Sequence, residues 1–183
     1  PRDALAPLER ALRAHMDGSI HGALGMVTDD GGEQELPVNL FFREGRDLRP
    51  GDRAALALCR GRVLDVGAGA GALALPLQAA GYEVTALEVL PGAVAVLSAR
   101  GVRDAQLGDL WVFQPDRPYD TVLALMNGTA AAGTLAGLVP LLCTLAALLA
   151  AGGQVLLDST DLCEEGRPAQ RVDGRYVGEL QYQ

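Results

Sequence analysis

The chain has 183 residues, is 49% apolar and carries a formal net charge of −8, which is enough for one domain with a buried core but too little for two full-sized domains. All 15 basic residues are arginines, so a lysine Schiff base and the phosphate-binding lysine of a P-loop are excluded. The acidic balance, without any basic run, also argues against nucleic acid as a direct partner.

Cysteine and histidine usage narrows the chemistry further. Cys59, Cys143 and Cys163 are odd in number and far apart, which favours reduced thiols in a cytoplasmic protein over a disulfide framework. His15 and His21 are the only histidines, and neither has a Cys or His partner at zinc-like spacing. We therefore predict no metal site.

The first 61 residues are predicted to form an N-terminal cap segment. Its first helix, over residues 3–16, has apolar residues at helical spacing, namely Leu5, Leu8, Leu12 and Met16. Two apolar stretches, 23–27 and 36–42, then flank an Asp-Asp-Gly-Gly sequence and predict a hairpin or two extended segments. Asp52 is predicted to cap a further helix over residues 53–60.

From residue 62 onward, short apolar strands alternate with helices. Strands are predicted at 62–66, 83–88, 104–107, 120–126 and 154–158, and helices at 71–80, 91–100 and 134–150. This alternation is typical of an α/β fold with a doubly wound, mostly parallel sheet, helices on both faces, and a ligand at the carboxyl ends of the strands. Gly and Pro interrupt the uncharged stretch 121–157, so no membrane span is expected. We expect one structural domain, with a core over 62–183.

The strand at 62–66 runs into a glycine-rich turn that can bind a flat or anionic ligand through its bare backbone. Gly67, Gly69 and Ala72, with Glu88 21 residues after the first glycine, fit a dinucleotide-binding fingerprint. Asp65 argues for another ligand, because a carboxylate in a buried strand would repel a pyrophosphate and attract a cationic amine or sulfonium. Alternatively, Asp65 only accepts hydrogen bonds from the backbone of the loop.

With these residues the sequence resembles the class I S-adenosylmethionine-dependent methyltransferases over roughly 62–158. The likeness is carried by Asp65-Val66-Gly67-Ala68-Gly69-Ala70-Gly71, by Glu88 at the end of the second strand, by Gly108-Asp109, and by Gly152-Gly153 before the fifth strand. The resemblance implies a Rossmann-like methyltransferase fold, with S-adenosylmethionine as cofactor and S-adenosylhomocysteine as product.

The resemblance also implies roles for individual residues. The methionine part of the cofactor would face Asp65, Gly67, Ala68, Gly69 and Gly71. Glu88 would accept hydrogen bonds from both ribose hydroxyls, and the adenine would lie among Val89, Leu90, Asp109 and Leu110. Met126 and Asn127 follow the fourth strand, on the acceptor side, where Met126 would contact the cofactor. Asn127 would either orient the acceptor or cap the next helix.

The sequence lacks the motifs of nucleic-acid methyltransferases, so a small-molecule acceptor is expected, methylated by an in-line displacement that depends on positioning. His15 and His21 are poor candidates for a general base. Two alternatives stay open at this point: a non-catalytic domain that binds S-adenosylmethionine, and an NAD-dependent oxidoreductase.

Only one strand, over residues 176–182, is predicted after Asp158, whereas the family has a C-terminal hairpin there. We therefore expect this hairpin to be incomplete. Either it is truncated, or the last strand pairs with a second copy of the chain across an exposed edge, which would give a homodimer.

Overall fold

The computed structural model describes residues 5–19, 23–28, 33–159, 171–172, 175–176 and 180–182. Its helices are α1 (Ala6–Met16), α2 (Pro50–Leu58), α3 (Ala74–Ala79), α4 (Pro91–Ala99) and α5 (Leu135–Ala147). Its strands are β1 (Ala23–Thr28), β2 (Glu33–Pro37), β3 (Val63–Val66), β4 (Val84–Glu88), β5 (Ala105–Leu107), β6 (Tyr119–Ala124), β7 (Leu149–Leu157), β8 (Arg171–Val172), β9 (Arg175–Tyr176) and β10 (Leu180–Tyr182).

The centre of the fold is a five-stranded parallel sheet in the order β5-β4-β3-β6-β7. Successive side chains of β3 point to opposite faces, so Val63 packs in one core cluster with residues of α3 and α4, and Leu64 packs in another with residues of α5. The predicted Rossmann-like α/β fold, with a parallel sheet flanked by helices, is confirmed.

The cap segment packs against the core through α1. Leu12 is fully buried and shares a cluster with Leu90, Ala93 and Val96 at the start of α4. The Glu9 side chain accepts a hydrogen bond from the backbone N–H of Gly92 at 2.5 Å. The cap therefore lies against the helix that follows β4.

The predicted pair of extended segments is an antiparallel hairpin of β1 and β2. The second stretch, predicted to run from 36 to 42, is extended only as far as Pro37 and continues as a 3₁₀ turn over Val38–Phe42. Proline has no N–H to donate to a strand ladder, which accounts for the end of the strand there.

Three predicted helix boundaries were wrong. The helix expected at 71–80 begins only at Ala74. The helix expected at 134–150 ends at Ala147, because Leu149 pairs with Tyr119 and begins β7. Asp52 is not a helix cap: α2 begins at Pro50, a residue favoured in the first helical turn, and the Asp52 carboxylate reaches back to accept from the N–H of Arg49 at 3.1 Å.

The last described strand, β10, pairs antiparallel with β1. Within the described residues, the five-stranded sheet ends at β7. The prediction of a single strand after Asp158, over 176–182, was wrong: Tyr176 ends the separate strand β9, which pairs with β8. Only Leu180–Tyr182 of the predicted strand forms β10, while 177–179 lie outside the described residues. The partner of β10 is β1 of its own chain and not a second copy. The homodimer through a C-terminal strand edge stays a prediction.

The described residues contain no helix with both the length and the apolar character that a membrane span requires.

Candidate cofactor and acceptor site

The predicted site residues come together at the carboxyl edge of the parallel sheet. Asp65 on β3 lies opposite Ala86 on β4 and Leu123 on β6. Glu88 is two residues beyond Ala86, and Met126 is three residues beyond Leu123. Residues that are 61 positions apart in the sequence (Asp65 and Met126) therefore meet at one edge.

Asp65 is a buried carboxylate with a free acceptor atom. Its side chain is enclosed, and its Oδ2 has no hydrogen-bond partner in the described part of the chain. Burial and the neighbouring charge of Glu88 raise the pKa of Asp65 to about 7, although a backbone hydrogen bond from Ala74 acts in the opposite direction. The bond from Ala74 leaves Oδ2 without a partner among the described residues, so a role in holding the backbone would use only one of the two carboxylate oxygens.

The glycine-rich turn is held in a left-handed conformation. The φ values are 68° for Gly67, 55° for Gly69 and 86° for Gly71, and residues that carry a Cβ rarely adopt such positive values. A Cβ on Gly67 would meet no atom within 4 Å, whereas one on Gly71 would lie 3.1 Å from Leu97 and 3.2 Å from Val102. The first glycine therefore borders open space, and the third packs against the core.

Glu88 holds this turn from the end of β4. Its Oε2 accepts from the N–H of Gly69 at 3.0 Å, and its Oε1 accepts from Val89 at 2.7 Å and Leu90 at 3.1 Å. Its side chain is buried, so Glu88 is more than a solvated strand end. Because a carboxylate oxygen has two lone pairs, Oε2 keeps one for a further donor.

The segment after β5 completes this side of the edge. The N–H of Gly108 donates to the carbonyl of Glu88 at 2.9 Å, which keeps the segment beside β4. Asp109 is half-buried and accepts from the N–H of Trp111 at 3.1 Å, and Leu110 is buried. The residues predicted to surround the adenine therefore lie just after two neighbouring strands: Val89 and Leu90 follow β4, and Asp109 and Leu110 follow β5.

A loop that the sequence only partly identified follows β6. Met126 and Asn127 have φ values of 61° and 67°. The N–H groups of Met126, Asn127 and Gly128 all donate to the carboxylate of Asp158, at 3.1, 2.7 and 3.1 Å. Asn127 occupies the N-cap position of the next helical element, the 3₁₀ helix Gly128–Ala132, but its side chain makes no capping hydrogen bond there. Helix α5 is capped by Thr134, whose Oγ1 accepts from Gly137. Asp158 was not predicted, although an acid that ends a long uncharged stretch at the carboxyl end of a strand was a usable signal.

Two arginines of the cap segment extend to this loop. Arg43 donates to Asp52 at 3.1 Å and to the Met126 Sδ at 3.3 Å, and its Nε is buried without a partner in the described residues. Arg49 lies 2.6 Å from Asp52 and 3.4 Å from Asp158. Burial acts to raise the pKa of Asp52, but the hydrogen bonds and charge of Arg49 hold it below its ordinary value.

Two aromatic residues of the cap pack near the site, and one of them, Phe41, lies beside the glycine turn. A Phe41 ring carbon would be 3.7 Å from a Cβ on Gly69. Phe42 stacks with His15 at 4.4 Å between ring centroids and lies under the guanidinium of Arg100 at 5.0 Å. His15 is thus packed in the cap, and His21 lies outside the described residues.

No protein-family model and no curated protein matches this chain, but solved structures do. An S-adenosylmethionine-dependent methyltransferase from Bacteroides fragilis, in complex with S-adenosyl-L-homocysteine, is 33% identical with a TM-score of 0.81 and covers 97% of this chain and 75% of its own. CalS10, an amino pentose methyltransferase from Micromonospora echinaspora with the cofactor bound, is 30% identical with a TM-score of 0.51, over 60% of this chain and 48% of its own.

The glycopeptide N-methyltransferase MtfA, complexed with S-adenosyl-L-methionine, is 27% identical with a TM-score of 0.56 and covers 76% of this chain and 62% of its own. The chain thus spans three quarters of the Bacteroides protein, and less than two thirds of CalS10 and MtfA.

Proposed function

Since the chain belongs to the class I S-adenosylmethionine-dependent methyltransferases, we propose that it transfers the cofactor's methyl group to the amine nitrogen of a small molecule. One observation carries the choice of an amine. Of the carboxylates described at the carboxyl edge, Glu88 and Asp158 each accept from three backbone N–H groups. Neither is a good general base, and Asp65, whose Oδ2 is free among the described residues, is the carboxylate that we assign to the cofactor's ammonium. With none of these carboxylates left for proton removal, the best acceptor is one that needs no base.

The residues at the edge fit the cofactor. Asp65 Oδ2 and Arg43 Nε belong to side chains of opposite charge and are buried without a partner among the residues that the structure describes. They suit the ammonium and the carboxylate of the cofactor's amino-acid end. We assign the ribose to the remaining lone pair of Glu88, and the adenine to Asp109 with its apolar neighbours Val89, Leu90 and Leu110. The open space beside Gly67 leaves room for the chain of the amino acid.

When bound, the cofactor supplies an electrophilic methyl group on a sulfonium. The chain's contribution is positioning, which in well-oriented cases is worth about 7–11 kcal/mol of the barrier. Asp65 and Arg43 hold the amino-acid end of the cofactor, and Met126 flanks its sulfonium end. Asn127 orients the acceptor amine so that the nitrogen lone pair faces the methyl group. The proton of the methylated amine is released to solvent, which requires no base from the protein.

The names of the relatives support this acceptor class, since CalS10 is an amino pentose methyltransferase and MtfA a glycopeptide N-methyltransferase. No observation favours the NAD-dependent oxidoreductase or the non-catalytic domain.

The test compares amino sugars and simple amines with hydroxyl compounds of the same skeletons, following release of S-adenosylhomocysteine. We expect turnover with amines only, at a rate that rises with pH as the amine loses its proton. Equal turnover of the matched hydroxyl compounds would overturn the amine assignment. Tight binding of S-adenosylhomocysteine without turnover of any compound would favour the non-catalytic alternative.

A further inference from the structure

The loop after β6 has a conformation that its own residues disfavour. Met126 and Asn127 are the only described non-glycine residues with positive φ, and they are adjacent. Such strain persists only where the surrounding structure enforces it, and it is concentrated at functional sites. Something outside the loop must therefore hold it.

Asp158 is the group that holds the loop. Three consecutive N–H groups, from Met126 to Gly128, converge on its two carboxylate oxygens, and the N–H of Thr129 donates to its carbonyl at 3.2 Å. Consecutive N–H groups in such a turn form a concave anion site, and here the anion is a side chain 30 to 32 residues further along the chain.

Asp158 is in turn tied to the cap segment. Arg49 bridges Asp158 and the buried Asp52, and Asp52 also pairs with Arg43. Arg43 returns to the loop at the Met126 Sδ. The contacts form a closed ring that joins the cap, the end of β7 and the loop after β6.

We propose that Asp158 is a positioning residue for methyl transfer: it sets the conformation of the Met126–Gly128 loop, and Arg49 links that conformation to the cap. The inference rests on the proposed function, which places the reactive end of the cofactor and the acceptor beside this loop. Asp158 acts through the backbone of the loop and not by contact with the reacting atoms.

The experiment measures two quantities in the full chain: S-adenosylhomocysteine affinity by calorimetry, and amide hydrogen exchange of residues 126–128 with and without that ligand. The variants are Asp158→Asn, which removes the charge at nearly constant shape, and Asp158→Glu, which keeps it. Asp116→Asn is the matched control, because Asp116 also accepts hydrogen bonds from an arginine side chain, that of Arg62, and from a backbone N–H, that of Arg117.

For Asp158→Asn we expect exchange of the three amides to accelerate at least about tenfold, since charge-assisted hydrogen bonds are about twice as strong as neutral ones. We expect ligand affinity to fall about fivefold or more, Asp158→Glu to recover part of both losses, and Asp116→Asn to change neither. In the wild type the ligand should slow exchange in the loop, and this slowing should be smaller in Asp158→Asn, a dependence that a purely structural role of Asp158 would not produce.

Unchanged loop exchange in Asp158→Asn would overturn the role of Asp158. So would unchanged ligand affinity in Asp158→Asn together with no ligand-dependent slowing of exchange in the wild-type loop. Failure of the proposed function is distinguishable from this, because it would appear as wild-type protein that binds the ligand with normal loop protection yet methylates no amine.

Discussion

At the scale of single residues, the neighbouring carboxylates Glu88 and Asp65 differ in how their charges are compensated. Glu88 is satisfied by backbone N–H groups, so its charge is compensated without ligand. Asp65 has one backbone hydrogen bond, from Ala74, and its Oδ2 has no partner among the described residues, while burial and the neighbouring charge of Glu88 raise its pKa to about 7. In the absence of ligand, Asp65 favours the folded state most fully below its ordinary pKa of 3.8, and this contribution is lost as the pH rises through about 7.

Cofactor binding should reverse this preference. Because the ligand's ammonium favours the ionised form of Asp65, we expect the affinity for S-adenosylhomocysteine to rise about tenfold between pH 6 and pH 8. Binding near pH 6 should release a proton, which is measurable by calorimetry in buffers of different ionisation enthalpy. Asp65→Asn should remove most of the pH dependence and much of the affinity while keeping the fold. The same pH dependence in this variant would show that another group is responsible.

The glycines of the turn are expected to differ in what they contribute. Gly67→Ala adds a methyl group in open space at positive φ, so it should cost about 1–2 kcal/mol of unfolding free energy and weaken ligand binding. Gly71→Ala adds the same strain and crowds Leu97 and Val102, for a further 1–3 kcal/mol or so. Urea denaturation and calorimetry separate the two effects. Equal stability losses would show that the core near Gly71 can adapt.

Sequence reasoning could single out residues whose surroundings are local, although their roles stay predictions. Asp65 is the last but one residue of β3, before the glycine turn, and Glu88 ends β4; each pattern is visible in a short window of sequence. The contact between Asp158 and Arg49 could not be assigned in this way, because it joins positions 109 residues apart and depends on how the cap packs against the sheet. No periodicity or motif in the sequence encodes that contact.

At the scale of elements, pairing between strands decided boundaries that local preference could not. The Ala- and Leu-rich sequence 145–150 is a good helix former, yet α5 ends at Ala147 because the following residues pair with β6. Helix propensity is a weak prior that tertiary contacts override. The glycine turn likewise delays the start of α3 to Ala74, since the turn's conformation has to be completed first.

Helix α2 depends on one buried side chain in its first turn, Asp52. Asp52 lies in its first turn and pairs with Arg43 and Arg49. Asp52→Asn would leave Arg43 buried without a charged partner among the described residues, and breaking a buried pair in this way typically costs about 3–5 kcal/mol. We expect a loss of that size in urea denaturation at neutral pH. Because the pKa of Asp52 is lowered, its contribution is present above the ordinary value and lost as the pH falls through the folded-state pKa.

The control for this variant is Glu44→Gln, which removes an exposed partner of Arg100 and should cost less than about 1 kcal/mol. The difference in stability between wild type and Asp52→Asn should shrink in acid. If it were as large in acid as at neutral pH, the carboxylate charge would not be what stabilises α2.

At the scale of the whole molecule, the cap and the sheet share a core. The cluster that contains Leu12 of α1 also contains Ala70 of the glycine turn and Leu90 beside Glu88. Residues that border the proposed cofactor site are therefore packed against the cap. This arrangement favours the expectation of a single domain over a cap that folds by itself.

Leu12→Ala tests that expectation. Leu12 is fully buried, and such a truncation typically costs about 2–5 kcal/mol. If cap and sheet are one cooperative unit, the whole chain should unfold in a single, earlier transition, with circular dichroism and Trp111 fluorescence changing together. Affinity for S-adenosylhomocysteine should also fall, because Ala70 and Leu90 lose packing. Leu58→Ala, at a leucine that is 60% exposed, should change stability by no more than about 0.5 kcal/mol. Two separate transitions in Leu12→Ala, with full ligand affinity retained, would instead identify the cap as an independent unit that does not shape the site.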